Sequence, residues 1–195
     1  MKARIAILIA ALSVALVGGA ETALAAGSES GTSPVFAIGP GHTFIADIPG
    51  ASSTLVRTPD GISVTLQTTG LPAGNAVTVW ALVFNDPGAC GAGGCGEMNG
   101  DLSVPAVHGS VFHVTGHIVG DNGTFAGRVS VGDAAGAFFG PGLLNPYGAE
   151  IHLIVRDHGV ALTGDLLQQQ FNDISPRFCN VACADIQESI HQAHG

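Results

Sequence analysis

From Val35 onward the chain alternates short apolar runs with clusters of turn-forming residues, the pattern of an all-β sandwich or barrel. Leu55–Thr58 and Ile62–Gln67 flank Pro59-Asp60-Gly61, which predicts a hairpin. In the second of these strands Ile62, Val64 and Leu66 point one way and Ser63, Thr65 and Gln67 the other, so one face is wet. Ala76–Phe84 is apolar at nearly every position, as expected of a central strand covered on both sides. Val111–Val119 and Thr124–Val131 surround Asp121-Asn122-Gly123, a second hairpin signal, and Ala149–Val155 is a further strand. Asp165–Phe171 and Ala184–His191 have helix-forming composition, with Asp173 or Asp185 as candidate caps. The expectation is seven or eight antiparallel strands and a small C-terminal helical segment, in one domain spanning residues 35–195.

The N-terminus reads differently. Lys2 and Arg4 precede the apolar run Ile5–Val17, Gly18-Gly19 interrupts it, and Ala23-Leu24-Ala25 fits a signal-peptidase site. A membrane-spanning helix needs about 20 apolar residues, more than this run supplies. Residues 1–25 are therefore expected to be a cleaved signal peptide and 26–34 a flexible polar leader. The mature protein is expected to be secreted or periplasmic, with no membrane insertion after cleavage.

Removal of that segment sharpens the charge balance. Lys2 is the only lysine, leaving Arg57, Arg128, Arg156 and Arg177 as the fixed positive side chains. Of 15 acidic residues only Glu21 precedes the cleavage point, so 14 remain. Phosphate backbones are held by Lys and Arg clusters, which argues against nucleic acid as a partner. Cations, sugars, apolar ligands and other proteins stay open, while Schiff-base chemistry has no lysine to use.

Cys90/Cys95 and Cys179/Cys183 form two close pairs. In an exported protein two disulfides are expected, and local pairing is favoured because Gly91-Ala92-Gly93-Gly94 can turn the chain back. A bridge between the two regions is the other connectivity. The C-x4-C and C-x3-C spacings depart from the usual C-x2-C zinc knuckle.

Histidine is the unusual resource. On one predicted strand His113, Thr115 and His117 share a face, with the two imidazole-bearing Cα atoms roughly 13 Å apart along a straight strand. A bulge at Gly116 would bring them closer. On the strand after Gly148, Glu150 and His152 share a face, with Arg156 and His158 beyond. If the two strands pair, His113, His117, His152, His158 and Glu150 are candidate ligands for zinc or copper. The plainer reading makes them ordinary polar residues on a wet face. His42, His108, His191 and His194 are expected in loops or the tail, His191 on a helix beside Cys183. A G-x-S-x-G elbow is absent, and the Gly-rich stretches lack the Lys and the strand-to-helix setting of a phosphate loop.

Gly70–Trp80 and Leu144–Ile151 resemble segments of secreted bacterial proteins of uncharacterised function whose layout is similar to CHRD domains. In those domains a G-L-x-x-G turn leads into a core strand and an N-P-x-G-E-like turn into a late one. The likeness covers residues 50–158 and implies a Greek-key or immunoglobulin-like sandwich. It departs from the family where Val79-Trp80-Ala81 replaces the H-I-H element, and the H-x-H of the more distantly similar copper/zinc superoxide dismutase sandwiches is missing too. The likeness therefore implies a fold and no activity. Two functions follow: a non-enzymatic binding or structural module, or a histidine-based zinc or copper metalloprotein, with oxidoreductase chemistry open to it.

Overall fold

The computed structural model of the chain describes residues 27–120, 123–172, 179 and 183–194. The expected signal peptide, Asp121-Asn122 and Asp173 lie outside the described residues. Eight strands form: β1 (Glu29–Gly39), β2 (Thr43–Thr58), β3 (Gly61–Thr68), β4 (Asn75–Phe84), β5 (Gly109–Ile118), β6 (Gly123–Ser130), β7 (Glu150–Val160) and β8 (Ala184–His191). Among the described residues one α-helix, α1 (Asp165–Asn172), precedes β8. Every pairing is antiparallel, in the order β5-β4-β7-β8-β1-β2-β3-β6. No described helix is long and apolar enough to cross a membrane.

In place of the two layers of an immunoglobulin-like sandwich, the strands make one sheet that nearly closes into a barrel. The reason lies in β1. It pairs with β2 from Glu29↔Arg57 to Gly39↔Thr43, and with β8 at Phe36↔Glu188 and Ala37↔Gln187, stitching the two halves together. Its first half, Glu29–Pro34, is the segment expected to be a flexible leader. Backbone pairing to Ser52–Arg57 orders it although its side chains are largely polar and exposed.

The edge strands β5 and β6 face each other across the closing seam and do not form the ladder their turn signal predicted; β6 pairs with β3 instead. At the seam Gly127 lies so close to β5 that a Cβ would stand 2.5 Å from the Val114 carbonyl oxygen. Ala184–His191, expected as helix, is a strand along β7 from Ile151↔His191 to Asp157↔Ala184. Tertiary pairing overrides its local preference.

Alternate residues fill the interior. Val77, Val79, Ala81 and Val83 of β4 and Ile151, Leu153 and Val155 of β7 join Leu55, Ile62, Val64, Leu66 and Phe125 in the main core. The opposite face of β4 is also dry. Trp80, Leu82 and Phe84, with Val107, Val111 and Ile154, form a second cluster against Cys90, Cys95 and Leu102. This explains why β4 is apolar throughout: the long Asn85–His108 connection folds down over its outer face.

Candidate metal centre

That connection is shaped by its own contacts. The Cys90–Cys95 disulfide, with Cα atoms 5.1 Å apart, closes the Gly-rich turn. Buried Asp101 accepts hydrogen bonds from the amides of Gly91 at 3.2 Å and Gly96 at 3.0 Å. Asn85 anchors the base, donating to the carbonyls of His108 (2.6 Å) and Gly142 (2.9 Å) and accepting from the Leu144 amide (2.8 Å). The residue carried beyond Cys95 is Glu97, delivered to the outer face of β7 and β8.

Four carboxylates, two imidazoles and one guanidinium gather there. The other carriers are His42 from the β1–β2 turn, Glu150, His152 and Arg156 from β7, and Asp185 and Glu188 from β8. His42 Nε2 lies 3.2 Å from Asp185 Oδ2 and 3.7 Å from Glu97 Oε2, and its Nδ1 lies 3.9 Å from Glu188 Oε2. One ligand atom each from His42, Glu97 and Asp185 falls within 4.8 Å of the other two. Zinc bonds of about 2.1 Å place tetrahedral donors roughly 3.4 Å apart, so the spacing suits such an ion. Arg156 Nη1 donates to Asp185 Oδ1 at 2.8 Å and more weakly to Oδ2 at 3.1 Å, which leaves Oδ2 facing His42. His152 is clamped between Glu188 Oε1 (2.8 Å from Nδ1) and Glu150 Oε1 (2.7 Å from Nε2).

Backbone strain supports His42. Gly41 (φ 71°) and His42 (φ 54°) both occupy the left-handed region, which a β-carbon-bearing residue rarely enters and which clusters at functional sites. The turn thereby aims the imidazole at β8.

With neutral imidazoles the cluster carries four negative charges and one positive, a net −3; with both protonated it carries −1. The surplus draws cations. The hydrogen bond to Asp185 raises the His42 pKa, burial opposes it, and the charges of Asp185, Glu188 and Glu97 add to the rise. Burial, reinforced by Asp185 and Glu188, pushes the Glu97 carboxyl up. Burial also works against ionised Asp185, but His42 and Arg156 outweigh it and hold its pKa below the usual range. For His152 burial disfavours the charge, while the bonds to Glu150 and Glu188 reverse the balance and raise its pKa.

The residues predicted from sequence are only partly brought together. Glu150 and His152 do share the outer face and meet. His113 and His117 do not share a face. A register shift between Val79 and Trp80 inserts an extra residue in β5, so the two-residue alternation skips. His117 is turned inward and stacks on Phe125 at 4.3 Å, whereas His113 packs against Trp80 at 5.2 Å on the outside. β5 and β7 do not pair: β4 runs between them. His158, fully buried, lies 2.8 Å from Thr78 Oγ1 and 3.5 Å from Cys183 Sγ. The expected zinc or copper set of His113, His117, His152, His158 and Glu150 is therefore not one site. His42, Glu97, Asp185 and Glu188 were not anticipated; the Gly-Pro-Gly-His turn and the Asp185-Ile186-Gln187-Glu188 run were the available signals.

Clefts converge on His42 and Glu97. One of about 310 Å³ is lined by both residues with His152 and Glu188 on one side and Phe36, Phe44 and Met98 on the other. Another, of about 410 Å³, brings His42 and Glu97 to Asp185. The larger opening of about 470 Å³, near Gln67–Leu71, is lined by no charged side chain and no imidazole among the described residues. Comparisons with protein-family models, curated proteins and solved structures give no match.

Proposed function

We propose that this chain is a non-enzymatic binding module working in a secreted or periplasmic setting, and that its ligand is a divalent cation of the zinc class. The observation that carries the reading is the convergence of His42, Glu97 and Asp185 from three separate segments. His42 Nε2 and one carboxylate oxygen each from Glu97 and Asp185 would hold the ion, leaving a fourth position for water or a partner's donor. Arg156 orients Asp185 from behind through Oδ1. The disulfide loop keeps Glu97 in place. Capture requires His42 to give up its proton, so affinity rises with pH.

The setting draws support from the two disulfides, Cys90–Cys95 and Cys179–Cys183, which suit an oxidising compartment. The CHRD-like layout of Gly70–Trp80 and Leu144–Ile151 belongs to the same proposal. Elemental analysis tests it: purified protein is incubated with zinc under non-reducing conditions and freed of excess metal. The parent should retain one zinc per chain, and His42→Ala and Asp185→Asn should retain little. A metal-free parent, or full retention in both variants, contradicts the proposal.

A further inference from the structure

A second constellation includes Cys183, two residues before Asp185 and a lining residue of the same cleft. His158 Nδ1 is 3.5 Å from Cys183 Sγ, and one ligand atom each from His158, Cys179 and Cys183 lies within 4.8 Å of the other two. Two sulfurs and an imidazole are the donor set of zinc and of soft cations. The ring is held from its other nitrogen. Its Nε2 is 2.8 Å from Thr78 Oγ1, and the same hydroxyl oxygen accepts the indole N–H of Trp80 at 2.7 Å. Since Thr78 Oγ1 can accept twice, His158 Nε2–H can donate there and leave the Nδ1 lone pair facing the sulfurs. Fixing one imidazole nitrogen by an outer hydrogen bond is how metal-ligating histidines are commonly oriented. Burial, together with the charge of Arg156, lowers the His158 pKa to about 4. His113 is near enough for its charge to act on His158. Its Nε2 is buried with no hydrogen-bond partner among the described residues.

In the structure the two cysteines are joined. We infer that Cys179, Cys183 and His158 form a redox-gated metal site, a disulfide in one state and a zinc-class thiolate–imidazole centre in the other. The chemistry balances with an external dithiol. The dithiol gives two electrons and two protons, is itself oxidised to a disulfide, and opens the Cys179–Cys183 bond to two thiols. A divalent cation then displaces those two protons and is held by the two thiolates and the His158 imidazole, with the fourth position left to water. A small-molecule disulfide reverses the step by exchange: it takes two electrons from the thiolates and two protons from water to become two thiols, the ion is expelled, and the Cys179–Cys183 bond re-forms. The two sites share no ligand residue, so loss of metal binding at one does not decide the other.

Cobalt(II) is the probe, because thiolate ligation gives an intense near-ultraviolet charge-transfer band that carboxylate–imidazole ligation lacks. The same purified chain is titrated before and after reduction, with circular dichroism recorded throughout. The band should appear only in the reduced protein and vanish on reoxidation. It should survive Cys90→Ser with Cys95→Ser, and cobalt affinity should fall at least tenfold in His158→Gln. Reduced protein that stays folded but shows no band overturns the inference. So does a band that follows Cys90 and Cys95 and ignores His158. Loss of the β spectrum on reduction of a folded Cys90→Ser, Cys95→Ser variant also overturns it, since the Cys179–Cys183 bridge is then a structural staple alone.

Discussion

His152 on β7 and Glu188 on β8 are joined by a 2.8 Å hydrogen bond, with Glu150 on the ring's other nitrogen at 2.7 Å. All three side chains are buried, so the imidazole sits between two carboxylates with little water to screen them. Its pKa is raised above 6.5, and the stability it confers follows from that sign. The contribution is full below about pH 6.5, the unfolded value, and is lost as pH rises through the higher folded value. NMR titration of the His152 ring in metal-free protein should therefore give a midpoint above 6.5, lowered in Glu188→Gln. An unshifted midpoint contradicts the arrangement.

His191 behaves in the opposite sense. Its Nε2 lies 2.7 Å from buried Ser53 Oγ, and burial, aided by the charges of Arg57 and His194, lowers its pKa to about 4. Above about pH 6.5 neither folded nor unfolded chain is protonated there. Between 6.5 and 4 the unfolded chain takes up a proton that the folded one refuses, which costs up to about 3 kcal/mol. Urea unfolding at stepped pH should show this acid-side decline, and His191→Gln should roughly halve it, since His158, also lowered to about 4, contributes in the same window.

Arg57 is the buried cation of the core. It donates to the carbonyls of Pro146, Ala149 (2.9 Å) and Gln192 (2.9 Å), tying β2 to the turn before β7 and to the C-terminal residues. Arg57→Met keeps the bulk but strands those acceptors, and should cost about 3 kcal/mol or more in denaturant unfolding. A change under about 1 kcal/mol would mean the carbonyls find other partners.

Seam closure depends on Gly127. A side chain there meets the Val114 carbonyl at 2.5 Å, and backbone cannot yield as a flexible side chain does. Gly127→Val should destabilise by about 2 kcal/mol or more and loosen β5 from β6, seen as faster amide exchange in both strands.

Much of this architecture is legible in the residues. β4 shows its burial on both sides in an unbroken apolar run, and Pro59-Asp60-Gly61 marks the β2–β3 hairpin. Each misreading has a local cause. β8 points Gln187, Ser189 and His191 toward β2 and β3, where Ser53 and Thr68 satisfy them, so no apolar alternation betrays a strand. His117 leaves its expected face because a bulge is set by pairing with β4, and side-chain type does not reveal it. The cation cluster was hidden for a different reason. His42, Glu97 and Asp185 are distant in the chain and lie at a turn, in a loop and at a strand start, and only sheet order makes them neighbours.

Isothermal titration of the disulfide-bonded protein with zinc, at pH 7.5 and in buffers of differing ionisation enthalpy, decides whether His42, Glu97 and Asp185 hold a divalent ion. The expected result is one ion per chain, proton release on binding, and at least a tenfold loss of affinity in His42→Gln. Absence of binding, or binding that His42→Gln leaves unchanged, would contradict it.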